Sequence, residues 1–440
     1  VTQTPELELT IGPPAHGGHC VARHEGRVIF VRHALPGEVV KVRLTEYDDD
    51  ARFWRADATD ILRPSGDRVN HPWPLADAVL AGTRGTRPVG GAEFGHMDLA
   101  VQRRVKADIF EEQLARLSKV ERSVSVEAVP DESPDGLGWR TRVGFAVDSS
   151  GHLAMHGHRS TELVPVADMP LAVPAINGLG LWNVDFTGVD AVEVAAGSGE
   201  GEPLVLLTVS GDTLSRTVRS LAEGIPGASV AAWNPESGSL QRLQGRTWVQ
   251  EIVGENRFRV TGEGFWQIHR SAPQVLTDAV LDGLQPEPGQ RVADLYAGAG
   301  LFTAALADRV GESGMVLSVE GSPAASKDAR RNLHGRAHVD IVQGKVEKVL
   351  RERRPHLDAV VLDPPRAGTG REVVRAITGA GAKCVLYVSC DPASFARDVS
   401  YFADAGWSLD TLRVFDLYPH THHMESVAVL RPHTAAPVGR

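Results

Sequence analysis

Four apolar segments in the last third of the chain each end in residues able to do chemistry. ADLY ends in Asp294 and Tyr296, VLSVE in Glu320, AVVLDPPR carries Asp363, and VLYVSC ends in Cys390. Each is followed by a turn. In an open α/β sheet, ligands bind beyond the carboxyl ends of the strands, so these residues form one candidate site. Cys390 is followed by Asp391, Pro392 and the SFARDV helix pattern. A thiol at a helix N-terminus has its thiolate stabilised by the helix dipole and by free backbone N–H groups. The motif alone leaves a catalytic and a packing cysteine equally open. Cys384, inside the apolar AKCVLYV, reads as a small core residue.

DLYAGAGLF places Gly298 and Gly300 directly after a strand and before a helix. Glycine there lets the backbone approach a ligand and adopt positive φ. Taken alone, a GxG turn also occurs in dinucleotide binders and in plain tight turns. Glu320 sharpens it, because an acidic side chain ending the next strand can accept both hydroxyls of a ribose. Capping of the SPAASKDARRN helix is the competing reading of Glu320. Thr303 stands where a dinucleotide binder would carry a third glycine, so S-adenosyl-L-methionine suits the turn better than NAD. In LDPPRAG two prolines stiffen the turn after Asp363, and a carboxylate so fixed can hydrogen-bond the edge of a planar base. The next residue is Arg366 rather than an aromatic ring, which points away from methylation of exocyclic amines.

These residues sit in a region of alternating strand and helix patterns that starts near Phe265 and predicts a parallel sheet with helices on both faces. The preceding region, about Val124 to Val260, is dominated by strands: WRTRVGFAVD, VDAVEVAAG, PLVLLTVSG, SVAAWN and TWVQEIVG. One helix, DTLSRTVRSLAEG, interrupts them and is expected to end on Gly224 as its C-cap. Residues 1–63 hold four or five short alternating segments bounded by Gly, Pro or Asp, which suit a small β-barrel. Between lie a Gly- and Ala-rich, loop-like LADAVLAGTRGTRPVGGAEFG and a helix over 99–120, where Val101, Val105, Ile109, Leu114 and Leu117 fall at helical spacing.

At 440 residues the chain exceeds one hydrophobic core, so two or three domains are expected. No run of eighteen apolar residues predicts a membrane span, and VTQTPELELTIG does not read as a secretory signal. Three cysteines at unrelated spacings make neither a disulfide framework nor a metal site, and fit a reducing, cytoplasmic setting. A net charge of -10 argues against a nucleic-acid partner. From Lys327 to Arg375, however, twelve Lys or Arg stand against seven Asp or Glu. That stretch is either a solvated helix face or a local surface able to hold phosphates.

FWQIH (265–269), DLYAGAGLF (294–302), LDPPRAG (362–368), YVSCDPASFARD (387–398) and HHMESVAVL (422–430) occur in the order found in the RNA uridine-5-methyltransferases, which the chain resembles. HGGHCVARHEGRVIFVRHALPGEVVKVRL and ILRPSGDRV resemble a TRAM domain, a small RNA-binding barrel. The resemblance implies an OB-like TRAM barrel (1–63), a linker, helix and central α+β domain (64–262), and a doubly wound, Rossmann-like methyltransferase domain (263–440). It implies Cys390 as the nucleophile that adds to uracil carbon 6, and Glu425 as the base that removes the carbon-5 proton. It further implies Gln267, Tyr296, Glu320 and Asp363 around S-adenosyl-L-methionine, with Asp294, Gly298 and Gly300 shaping that pocket. Asp363 also binds the uracil edge, and the early helix packs with the catalytic domain. Without the resemblance, Glu425 reads as a surface carboxylate starting the last strand.

Two features depart from the family. Ribosomal members carry a four-cysteine iron–sulfur site where this chain has VGGAEFGHM and ADMPL, so Val89, Ala92 and Met169 replace thiols. Leu301 stands where an Asn often follows the glycines. The expected protein is therefore an enzyme without cluster or metal, acting on rRNA or tRNA, with no membrane partner and a monomer as the expected state. Two other readings stay open: a methyltransferase of cytidine or a small molecule, and an RNA-binding protein that has lost turnover.

Overall fold

The computed structural model describes residues 6–48, 50–157, 160–211 and 216–433. Six strands build the N-terminal barrel: β1 (Glu6–Thr10), β2 (Pro14–Ala15), β3 (His19–His24), β4 (Arg27–Arg32), β5 (Val39–Glu46) and β6 (Phe53–Arg63). Alternation sets the inside: Val40, Val42 and Leu44 of β5 are buried, while Lys41 lies outside. The order β1-β5-β6-β4-β3-β2 is closed by bonds from Gly12 N to Val21 O (2.7 Å) and from Val21 N to Pro13 O (2.9 Å). Closure demands glycine at position 12, because a Cβ there would meet Val21 O at 2.7 Å.

The loop-like stretch that follows contains a short helix, α1 (Ala78–Thr83), which the Gly and Ala content had hidden. Asp77 starts it by accepting from the N–H groups of Val79 and Leu80. Next comes α2 (Leu99–Gln113), capped by Asp98 and continued by a π-helical turn, Leu114–Ser118. The wider turn shifts the helical phase. Val101, Val105, Ile109 and Leu114 are buried as the spacing predicts, but Leu117 emerges at the surface. The helix packs against the C-terminal sheet layer, with the Phe110 and Phe395 rings 5.7 Å apart.

After β7 (Val126–Glu127), the central sheet is formed by β8 (Arg142–Val147), β9 (Leu153–His156), β10 (Leu163–Pro165), β11 (Ala191–Ala195), β12 (Leu204–Thr208), β13 (Ser229–Asn234) and β14 (Ser239–Gln244). The helices α3 (Pro174–Asn177) and α4 (Arg216–Leu221) accompany it, and a hairpin, β15 (Trp248–Val253) and β16 (Asn256–Thr261), follows. Gly224 is not the C-cap expected of α4. The chain tightens into a 3₁₀ turn over Ala222–Gly224, and Ile225 ends it. The start of that expected helix, residues 212–215, lies outside the described residues.

The last third opens with a helix that the pattern had not marked, α5 (Ala272–Leu284). It continues as β17 (Arg291–Leu295), α6 (Leu301–Val310), β18 (Met315–Glu320), α7 (Pro323–Asn332), β19 (Val339–Gln343), α8 (Val346–Arg353), β20 (Ala359–Leu362), α9 (Arg371–Thr378), β21 (Cys384–Ser389), α10 (Pro392–Asp404), β22 (Trp407–Phe415) and β23 (Glu425–Pro432). The sheet order is β19-β18-β17-β20-β21-β23-β22-β7. Five strands are parallel, as alternation predicts, but β23 runs antiparallel to both β21 and β22. Both faces are covered: Ala293, Leu295, Val360 and Leu362 join one apolar layer, and Val292, Val316, Val361 and Leu386 the other. Among the described residues no helix is long and apolar enough to cross a membrane.

Candidate active site

From β17 the chain proceeds one way to β18 and β19, and the other way to β20 and β21. The switch point between β17 and β20 is where such sheets open a crevice at their carboxyl edge. Asp294, Tyr296, Gly298 and Gly300 leave the sheet on one side of it, and Asp363 on the other. The antiparallel β23 then brings in a residue from the end of the chain. Ser389 pairs with Ser426, so Glu425, which starts β23, lies at the edge where Cys390 leaves β21.

The glycine turn is built for close approach. Gly298 has φ +56 with open space where a Cβ would stand, whereas a Cβ on Gly300 would press on Leu333 at 3.0 Å. Tyr296 adopts φ +67, a conformation that costs a non-glycine residue about 1–3 kcal/mol and concentrates at functional sites. Glu320 accepts from Gly298 N (2.8 Å) and Ser322 N (2.5 Å). The helix cap is Ser322, which accepts from Ala325 N, so capping does not occupy Glu320. Asp294 is fully buried beneath the turn and takes the Thr303 hydroxyl at 2.5 Å. Its other oxygen has no partner among the described residues. Burial raises its carboxyl to about 7.

Cys390, Asp363 and Glu425 share one poorly solvated corner. Glu425 is 2% exposed, which corrects its reading as a surface carboxylate, and its Oε2 accepts from the Tyr418 hydroxyl at 3.0 Å. Burial, then the nearby Asp363, pushes the Glu425 carboxyl well above the usual range. Asp363 rises to about 7 through burial and through Asp294 and Glu320, while Gln267 Nε2 donates to it at 3.4 Å. The thiol also departs from the sequence argument. Burial, with Glu425 and Asp363, drives Cys390 up to about 12, against a lowering by Arg366. The helix N-terminus does not reverse this. Asp391 is the N-cap of α10 and takes Ser394 N for itself at 2.7 Å, and its charge opposes a thiolate. His423 lies 3.4 Å from Arg366, and burial together with His422 lowers it to about 3, so it is neutral.

Tyr418 and Arg366 thus join the site without having been assigned to it from sequence. Arg366 stood in LDPPRAG, but its closeness to the thiol needed the fold. Tyr418 lies in an irregular loop with no spacing signal. The positions that replace thiols, Val89, Ala92 and Met169, are all buried in one apolar cluster with Trp73 and Trp139. The same segment reaches the site: Glu93 pairs with His422, and Phe94 N donates to His420 O at 2.8 Å. A cleft of about 360 Å³ on the far side of FWQIH is lined by Arg140, Arg142, Glu193 and Phe265, and by none of the residues that converge here.

The raised carboxyls have a consequence for stability. Below about pH 4 folded and unfolded chains both hold the Asp363 proton, and the group contributes nothing. Between there and about 7 the unfolded chain releases the proton while the folded chain keeps it, so stability falls as pH rises and the loss is complete above that range. Asp363→Asn is therefore expected to melt higher than the unaltered protein at about pH 8, with no such gain at pH 4. An equal shift at both values contradicts the assignment.

Residues 253–433 match the family model of the tRNA (uracil-5-)-methyltransferases, and residues 2–54 match the TRAM domain. An RNA methyltransferase of Streptomyces avermitilis is 42% identical over 97% of this chain and 98% of its own. Another from Bifidobacterium longum is 36% identical over 96% of both. The fold is shared with the Pyrococcus abyssi tRNA (uracil-54, C5)-methyltransferase, solved with S-adenosyl-L-homocysteine: TM-score 0.71, 20% identity, 96% of this chain and all of that one. With its edge-of-sheet site, its TRAM barrel and relatives along its whole length, the chain belongs to the RNA (uracil-5-)-methyltransferase family.

Proposed function

We propose that the protein methylates carbon 5 of a uridine in structured RNA, either rRNA or tRNA, through a covalent adduct on Cys390. The observation that carries this reading is the convergence of Cys390, Asp363 and the buried Glu425 at the carboxyl edge of the sheet. Carbon 5 of uracil is too weak a nucleophile until a thiol adds to carbon 6 and turns the ring into an enolate. Cys390 Sγ forms that bond while its proton passes to the ionised form of Asp363, which leaves Glu425 to take the later proton. Asp363 holds the uracil edge, donating when protonated and accepting when ionised. Once carbon 5 carries the methyl group, Glu425 removes the remaining proton, the carbon–sulfur bond breaks and the ring double bond returns. Tyr418 keeps the Glu425 carboxyl aimed.

Gln267, Tyr296, Glu320 and Asp363 would hold S-adenosyl-L-methionine, over a turn shaped by Asp294, Gly298 and Gly300. The open space at Gly298 and the carboxylate ending β18 fit a nucleoside there. When bound, the cofactor supplies an electrophilic methyl group. For RNA, the barrel offers an outer pair in which Phe30 and Phe53 lie 5.3 Å apart, with the Arg55 guanidinium 4.9 Å over Phe53. Aromatic rings with a cation are the surface on which unpaired bases stack. A base must leave its stack to reach so enclosed a thiol.

The two substitutions at the centre should fail differently. Cys390→Ala is expected to give neither methylation nor a covalent RNA complex. Glu425→Gln keeps the shape but not the base, so a methylated protein–RNA complex stable to denaturing electrophoresis should accumulate. Nucleoside analysis with labelled cofactor should yield 5-methyluridine. Turnover by Cys390→Ala, a methylated cytidine or small molecule, or cofactor binding without transfer would each contradict the reading.

We also propose that no iron–sulfur cluster is held, because such clusters need thiolates and Val89, Ala92 and Met169 offer packing instead. Iron analysis of anaerobically purified protein should find no stoichiometric metal, and a brown sample with stoichiometric iron would overturn this.

A further inference from the structure

The turn between β2 and β3 of the barrel reaches both loops that carry the proposed chemistry. His16 Nε2 lies 2.9 Å from Asp391 Oδ2, and Asp391 directly follows Cys390. Gly18 touches the other loop: with φ +79 and only 3.1 Å between a built Cβ and His422 Cβ, no other residue fits there without displacement. His422, three residues before Glu425, is also held by Glu93.

Asp391 is fixed by two partners, Oδ1 by Ser394 N at 2.7 Å and Oδ2 by His16. Burial opposes its ionisation, but the hydrogen bonds from His16 and from Ser394 N prevail and hold it down at about 2. An ionised carboxylate only accepts, so the His16 tautomer in this contact carries its proton on Nε2. The Asp391 charge is one of those that raise the Cys390 thiol. A donor that holds this carboxylate in place limits how far it acts on the sulfur. It also fixes the backbone from which Cys390 projects.

We propose that His16 is a positioning residue for the Cys390 nucleophile, so that the RNA-binding barrel and the reactive thiol form one mechanical unit. This rests on the reading of Cys390 given above. The pair is partly exposed, with side chains 38% and 22% accessible, and such pairs contribute little to global stability. Its removal therefore changes chemistry without unfolding the protein.

The test uses the full chain and RNA carrying 5-fluorouridine, which retains the adduct because fluorine does not leave as a proton does. Adduct formation is followed in single turnover at saturating RNA, alongside the KM for RNA and the melting temperature. His16→Ala is expected to slow adduct formation about tenfold, the equivalent of one pKa unit at the sulfur. KM should change less than twofold, and the melting temperature should not move. His16→Gln, whose amide can still donate to Asp391, should recover most of the rate. An unchanged adduct rate in His16→Ala overturns the proposal, as does a loss confined to KM or an equal loss in both variants. If the unaltered protein forms no adduct, the reading of Cys390 falls first and this proposal falls with it.

Discussion

A half-buried thiol and two carboxyl groups, one of them buried, meet in one corner of the sheet, where charge on any of them is opposed by burial and by the others. Burial, then Glu425 and Asp363, drive the Cys390 thiol up to about 12, on the order of 4 kcal/mol against the thiolate. A helix N-terminus offers about 0.3–1 kcal/mol in its favour, so the dipole loses. Burial and the neighbouring carboxyls thus oppose a thiolate at Cys390 in the free protein.

That corner is braced mostly by residues distant in sequence. Lys106 on α2 and Asp416 form an ion pair with both side chains fully buried, and Lys106 also donates to Tyr418 O at 3.1 Å. Removing one partner of such a pair leaves an uncompensated charge and typically costs about 3–5 kcal/mol. Asp416 N is held by Glu127 O of the added edge strand β7. The loop from Asp416 to Glu425 is thus pinned by α2, β7, Glu93 and the barrel turn before it delivers Tyr418 and Glu425. The N-terminal half thus braces the loop that delivers Glu425.

The parallel strands of the last third were legible because each is a short apolar run followed by a turn and a helix, and their ends named Asp294, Glu320, Asp363 and Cys390 directly. The alternation in β5 likewise announced the barrel. What the pattern could not carry was the direction of β23, since strand polarity is decided by connection and pairing. Yet that direction alone places Glu425 at the level of Cys390. Tyr418 and His16 were invisible for a related reason: their contacts span 7 and 375 residues from loops without periodicity. The helix end after Cys390 is legible in sequence, whereas the desolvation that outweighs it is a property of the assembled fold.

The enclosure of the thiol can be measured without any RNA. Iodoacetamide alkylation of the free protein, mapped by peptide mass spectrometry to separate Cys390 from the buried Cys20 and Cys384, reports the thiolate fraction at each pH. The account predicts that the Cys390 rate is very low at neutral pH and still rising, without a plateau, at about pH 10. A plateau with a midpoint below about pH 8 would show a thiolate already stabilised in the free protein, and would contradict it.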